Sequence, residues 1–260
     1  VNHLDPILEA TRADVARRRA SGDPGELTAR IAARGPAGGA RFLSALRRPG
    51  ISVIAEHKRR SPSAGSIRED LELEAVVTAY ERGGAAAVSI LTESSRFGGS
   101  LADLERSAAV SALPRLRKDF VVDPHQVDEA LAYGADAILL IVAALPPATL
   151  SALYARAAEG GLAVLVEVHD RAELDVAIAV GAELIGINNR DLTTLEVDVR
   201  RTYALLDALP AGTTVVAESG FSRRAELDEL AAAGVDAVLI GEALMRAADI
   251  EAACRALTGA

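Results

Sequence analysis

The chain reads as an α/β protein whose main body is a closed (β/α)8 barrel, preceded by a helical extension. Three observations predict this. From Ile51 onward, short apolar β-branched runs alternate with amphipathic helical stretches, and strict alternation of this kind builds a parallel sheet. Eight such pairs fill residues 51–260, the size of a closed barrel. A similar helix-to-strand join recurs as Gly83-Gly84-Ala85-Ala86, Gly134-Ala135-Asp136-Ala137, Gly181-Ala182-Glu183-Leu184 and Gly234-Val235-Asp236-Ala237, about once every two pairs. An open doubly wound sheet is the competitor, but no GxGxxG follows the first strand. The expected architecture is a TIM barrel, with residues 1–48 as the extension, 49–260 as the barrel, and one domain overall.

The extension opens with a helix expected over 3–20, with Asp5 as N-cap, Pro6 in the first turn and Ile7, Leu8 and Val15 as an apolar stripe. Arg17, Arg18 and Arg19 suit a basic last turn better than an anionic partner. Short helices are expected over 26–33 and 41–48, the second stopped by Pro49-Gly50. Strands follow near 51–56, 86–91, 114–118, 136–141, 162–168, 184–188, 213–217 and 236–240. Helices lie between them near 71–82, 100–111, 124–133, 147–159, 171–180, 199–208 and 222–233, with a last one after Gly241. The join glycines are C-cap residues and mark the N-terminal, stabilising end of the barrel, so their Asp and Glu neighbours are not read as catalytic.

Composition narrows the function classes. Half of the 260 residues are hydrophobic, ample for a large core. A net charge of −9 without a long basic run argues against nucleic acid and anionic membrane as partners. Cys254 is the one cysteine; it excludes an intramolecular disulfide, fits a reducing compartment and reads as a packing residue. The start VNHLDPILEA lacks a signal-peptide pattern and no apolar run reaches membrane-span length, so a cytoplasmic protein is expected. His3, His125 and His169 are scattered, so no metal is expected. His169 could reach the site, but a local packing or capping role fits it better.

In a (β/α)8 barrel the active site lies at the C-terminal strand ends. The first strand runs into Glu56 and Lys58, which share a face because strand residues two apart point the same way. The second is followed by Glu93 and Phe97, and the third delivers Lys118 and Phe120. The fourth ends apolar, the fifth in Glu167, the sixth in Asn188 and Arg190, and the seventh in Glu218 and Ser219. Of the 28 Lys and Arg residues only Lys58 and Lys118 are lysines, and both sit at strand ends. Arg stays charged at any working pH, whereas a Lys proton can move, so this placement points to chemistry. Lys118 and Glu167 are each the lone ionisable end of an inward face; a structural Glu56–Lys58 pair is the plainer reading of the first strand. Gly220 and Gly241 follow the last two strands, are each expected to open a helix, and stand where barrels bind phosphate. Glu242 beside them would repel phosphate unless it points away.

The stretches IAEHKRRSPS (54–63), LTE (91–93) with FGGS (97–100), LRKDF (116–120), EVHD (167–170), IGINNRDL (185–192), AESG (217–220) and IGEALM (240–245) together resemble indole-3-glycerol phosphate synthase, over residues 48–246. The resemblance implies a substrate, 1-(2-carboxyphenylamino)-1-deoxyribulose 5-phosphate, closed to indole-3-glycerol phosphate with loss of CO2 and water, in tryptophan biosynthesis and without cofactor or metal. It implies Lys118 as general acid and Glu167 as base. Lys58 would hold the carboxylate or phosphate, and Glu56 and Asn188 would orient the lysines. Ser61, Phe97, Phe120, Arg190, Glu218 and Ser219 would contact substrate, and Lys58, Gly220, Gly241 and Glu242 would surround the phosphate. A monomer or weak homo-oligomer is expected. Two rivals stay open. Phosphoribosylanthranilate isomerase would need a catalytic Cys and Asp, and Cys254 is misplaced for that. A barrel that binds phospholigand without catalysis is the other.

Overall fold

The computed structural model describes residues 3–260, and Val1 and Asn2 lie outside the described residues. Eight parallel strands close into a barrel: β1 Ser52–His57, β2 Ala87–Leu91, β3 Arg115–Lys118, β4 Ala137–Ile141, β5 Ala163–Val168, β6 Leu184–Asn188, β7 Thr214–Glu218 and β8 Ala237–Ile240. Neighbours in sequence are neighbours in the sheet, and β8 returns to β1 with Ala55 opposite Ile240. Nearly every strand residue is buried, because helices cover the outer face and side chains fill the inner one.

Helices α1 Leu4–Ser21, α2 Pro24–Arg34 and α3 Gly39–Leu46 precede the barrel. Helix α1 begins one residue before the expected N-cap Asp5, with His3 at the cap position. Helix α3 lies across the N-terminal end of the barrel. Phe42 and Leu46 are fully buried there, and Ser52 Oγ donates to the carbonyls of Ala45 and Leu46 at 3.3 and 3.1 Å. Arg47 Nε adds a bond to Thr214 Oγ1 at 2.7 Å.

The surrounding helices are α4 Leu73–Arg82, α5 Leu101–Val110, α6 Pro124–Ala132, α7 Pro147–Glu159, α8 Arg171–Ala179, α9 Arg200–Leu206 and α10 Arg224–Ala232. The expected last helix is two, α11 Glu242–Met245 and α12 Ile250–Thr258, the second N-capped by Asp249 through the Ala252 N–H. Two features had no sequence expectation. The loop after β1 folds back as an antiparallel ladder, Arg60–Ser61 against Gly65–Ser66, and a 3-10 turn Val142–Ala144 follows β4.

The joins act as expected. Gly84, Gly134, Gly181 and Gly234 all hold positive φ. Asp136 and Asp236 accept the backbone N–H of Arg115 and Val215, at 2.8 and 2.7 Å, where neighbouring strands begin. They are structural groups at the end away from the site. Cys254 is buried beneath α4, with Sγ 3.7 Å from the Tyr80 carbonyl.

Candidate active site

The C-terminal ends of the strands surround a cavity of about 510 Å³. Register decides which side chains meet there. Glu56 pairs across the sheet with Ser89, Leu91 with Lys118, Ile141 with Glu167, and Asn188 with Glu218. The predicted site residues Glu56, Lys58, Ser61, Phe97, Lys118 and Phe120 line this cavity on one side. Glu167, Asn188, Arg190, Glu218, Ser219 and Gly220 line the other, with Gly241 and Glu242 at the β8 end.

Lys118 is central. Its Nζ stands 3.7 Å from Glu167 Oε2 and 3.6 Å from Glu218 Oε2. Burial would lower the ammonium pKa, but Glu218, Glu167 and Glu56 outweigh that and raise it above the ordinary value. Lys118 therefore carries its proton at neutral pH, as an acid must before it donates. Burial and the neighbouring Glu167 push Glu218 up to about 8, against the pull of Lys118. Lys58 Nζ pairs with Glu56 Oε1 at 2.8 Å, and Ser89 Oγ donates to Glu56 Oε2 at 3.4 Å. Burial would raise the Glu56 carboxyl, but Lys58 and Lys118 hold it below the usual range. Asn188 Nδ2 donates to Glu167 Oε1 at 3.1 Å.

Two glycines make room for these carboxyls. A Cβ on Gly186 of β6 would come within 2.3 Å of Glu218 Oε1, and one on Gly241 within 2.6 Å of Glu56 Oε1. The far wall is shaped by backbone. Ser219 has φ 64°, rare for a residue with a Cβ, and Gly220 has φ 93°. Asn189 Nδ2 donates to the Ser219 carbonyl at 3.0 Å and supports that turn. Gly220 does not open a helix as expected: α10 starts only at Arg224, because Phe221, Ser222 and Arg223 intervene as loop. Gly241 does open one, the four-residue α11. Glu242 pairs with Arg246 at 2.9 Å, so its charge is matched on its own helix.

The loops over the cavity are tied together. Ser61 Oγ accepts from the Ala64 N–H at 3.1 Å, and Arg59 pairs with Asp103 at 2.7 Å. Glu93 takes the N–H groups of Ser95, Arg96 and Phe97 at 2.9, 2.7 and 2.9 Å, so it shapes the loop after β2 rather than the cavity. The rings of Phe97 and Phe120 stand 6.3 Å apart, tilted by 42°. Arg190 donates to the Leu195 carbonyl at 2.9 Å.

The family model for indole-3-glycerol phosphate synthase matches residues 4–257. The chain belongs to the indole-3-glycerol phosphate synthase family. An indole-3-glycerol phosphate synthase of Rhizorhabdus wittichii is 49% identical over 265 residues, covering 100% of this chain and 99% of that protein. That of Mycobacterium ulcerans is 48% identical over 250 residues, 96% of this chain and 91% of the relative. A solved 3-hexulose-6-phosphate synthase from Salmonella typhimurium superposes with a TM-score of 0.61 at 15% identity, over 80% of this chain and 97% of that one, a likeness of fold. As a member of the indole-3-glycerol phosphate synthase family, the chain is a carboxy-lyase of tryptophan biosynthesis.

Sequence reasoning missed several features of the residues at this cavity. Leu4 and Ile7 of α1 line the cavity, although nothing in the extension's sequence marks them as more than an apolar stripe. Gly186 lies within the quoted stretch 185–192, but nothing there marked it as a residue that makes room for Glu218. Glu218 was expected to contact substrate, and it also forms half of the Lys118 carboxyl cage. His169 shares the face of Glu167 at two residues' distance; its Nε2 lies 3.4 Å from Glu167 Oε1. The helix cap expected of it falls instead to Asp170, which accepts the Glu173 N–H at 2.9 Å.

Proposed function

We propose that the chain closes 1-(2-carboxyphenylamino)-1-deoxyribulose 5-phosphate to indole-3-glycerol phosphate, with Lys118 as general acid and Glu167 as general base. The observation that carries this is the placement of Lys118 Nζ between Glu167 and Glu218, at 3.7 and 3.6 Å, inside a cavity entered from the strand ends. Ring closure needs a proton on the ketone oxygen as the aromatic carbon attacks, and the charged Lys118 supplies it. Loss of CO2 then restores the aromatic ring. Elimination of the hydroxyl as water needs a further proton on oxygen, which Lys58 supplies as the acid of this later step, and removal of one from the adjacent carbon. Glu167 Oε2, buried without a hydrogen-bond partner, takes that proton.

Glu56 and Asn188 act on the proton carriers. Glu56 holds Lys58, and Asn188 holds Glu167. Lys58 and Arg190 bring positive charge to an anionic substrate in a chain of net charge −9. Phe97 and Phe120 pack on the anthranilate ring, and Ser61 closes the pocket from the β1 loop. The turn Ser219–Gly220 and the Gly241 N–H receive the phosphate, with Lys58 near and Glu242 neutralised by Arg246. Residues 1–48 belong to this catalytic unit, since α1 supplies Leu4 and Ile7 to the cavity wall. No described helix is long and apolar enough to cross a membrane. We place the enzyme in the cytoplasm as a monomer or weak homo-oligomer, without nucleic acid or cofactor.

The test is turnover of that substrate, followed by indole fluorescence, for the wild type and Lys118→Arg. Arginine keeps the charge and does not release a proton. The expected result is an active wild type and a variant slowed by about 100-fold or more that still binds substrate. A variant with most of its activity would reduce Lys118 to an electrostatic contact and move the acid role to Lys58. An inactive wild type would end the proposal.

A further inference from the structure

Glu167 gives its two oxygens different surroundings. Oε1 accepts from Asn188 Nδ2 at 3.1 Å and lies 3.4 Å from His169 Nε2. Oε2 has no hydrogen-bond partner and faces Lys118. A carboxylate base works best with one oxygen held and the other free to receive the proton. His169 is itself held from behind. Its Nδ1 lies 2.9 Å from Glu173 Oε2 on α8, and its backbone N–H donates to the same oxygen at 2.8 Å.

Counting protons decides the state of the ring. A carboxylate against Nδ1 places a proton there. In a neutral ring, Nε2 would then turn a bare lone pair toward Glu167 Oε1 at 3.4 Å, and the buried Nε2 makes no hydrogen bond of its own. With a second ring proton, both nitrogens face an anion.

We propose that His169 is a positioning residue for the base: as an imidazolium clamped by Glu173, it fastens Glu167 Oε1 together with Asn188 and leaves Oε2 as the ionised, proton-accepting oxygen. This rests on the reading of Glu167 as the base. The charge matters because Glu167 shares its burial with Glu218, and two adjacent buried carboxyls disfavour double ionisation. The imidazolium stands on the Glu167 side, and Glu218 is the carboxyl of the two whose pKa burial and its neighbour raise.

The groups facing the ring are Glu167 on β5, Glu173 on α8 and Glu218 on β7, with Lys118 beyond Glu167. Asp170, Arg171, Asp191 and Arg201 line a separate surface groove together with His169 and Glu173. Burial pulls the His169 pKa down, but Glu173, Glu167 and Glu218 outweigh it and raise it above the ordinary value.

The experiment compares kcat and KM against pH for the wild type, His169→Gln, Glu173→Gln and Glu167→Gln. Gln at position 169 keeps an amide donor but no charge, and Gln at 173 removes the negative charge that holds the imidazolium, at a partly exposed position. Without the cation the base loses a neighbouring positive charge, so activity fails at a higher pH as the solution is acidified. The expected result is an acid limb of kcat moved up by about one pH unit in both His169→Gln and Glu173→Gln, with KM within about twofold of wild type. Acid limbs that stay in place, whatever happens to thermal stability, would overturn the positioning role. If Glu167→Gln keeps its activity, the base assignment falls and takes this proposal with it. An inactive Glu167→Gln beside unmoved acid limbs would sink the role of His169 alone.

Discussion

At the scale of single residues, Glu218 carries the clearest pH consequence. Its folded pKa is raised from 4.5 to about 8, chiefly by burial and Glu167. Between those values the unfolded chain releases a proton that the folded protein keeps, so stability falls as pH rises through this window. Glu218→Gln removes the dependence. Urea unfolding from pH 5 to 8.5 is expected to show the wild-type stability falling relative to the variant as pH rises; parallel curves would mean that Glu218 is already ionised. His57 makes a similar point on the outer face of β1, where burial first and Arg59 second push its pKa down to about 4. It is neutral at working pH and takes no part in proton transfer. Lys58, Lys118 and Glu167 were legible in the sequence because a rare or isolated ionisable group closed an apolar strand. The surroundings that Glu218 gives Lys118 and His169 gives Glu167 were not, because they depend on side chains from separate strands and a helix meeting in space.

At the scale of elements, the strands position chemistry partly through what they lack. A Cβ on Gly186 of β6 would reach the flexible end of Glu218, so the carboxyl moves while the backbone keeps its course. Gly186→Ala is therefore expected to lower kcat by about 10- to 100-fold, the scale of an ångström of misplacement, with only a small loss of thermal stability. Equal losses of both would show that β6 itself had shifted. Gly241→Ala meets Glu56 Oε1 at 2.6 Å and Glu56 Cβ at 3.1 Å, so it also crowds β1, and a larger stability loss accompanies its activity loss. Sequence periodicity located all eight strands and most helices within a few residues. It placed Gly220 at a helix start that lies four residues further on, since a Ser-Gly pair reads equally well as turn or cap. The last helix was read as one because the break at Ala247–Asp249 has no Gly or Pro.

At the scale of the molecule, the extension and the barrel are bound by a buried ionic chain. Arg117, fully buried on the outer face of β3, pairs with Asp119 and Glu129, each at 3.0 Å, and Glu129 pairs in turn with Arg18 of α1 at 2.7 Å. Removing one partner of a buried set leaves charge uncompensated. Glu129→Ala is expected to lower unfolding free energy by about 3 kcal/mol, at the low end of that range because Asp119 remains. A loss under about 1 kcal/mol would mean that Arg117 finds a new partner. Helix α1 also reaches the cavity, so Leu4→Ala with Ile7→Ala is expected to raise KM several-fold with kcat little changed. An unchanged KM would assign that wall to packing alone. Within the Arg17–Arg19 run, Arg18 thus has an internal use, and Arg17 and Arg18 both pair with Asp14.

The sequence by itself determined the barrel, the order of its elements and the ionisable strand ends where chemistry was expected. Those follow from local rules: period-two and helical patterning, glycine at joins, and the rarity of lysine at strand ends. Tertiary structure decided how the candidates act on one another. Lys118 is caged by two carboxyls, Glu167 is fastened on one oxygen by Asn188 with His169 behind it, and α1 lines the cavity formed some fifty residues later. Each of these depends on barrel closure and strand register, which bring distant residues within 4 Å and which no local pattern encodes.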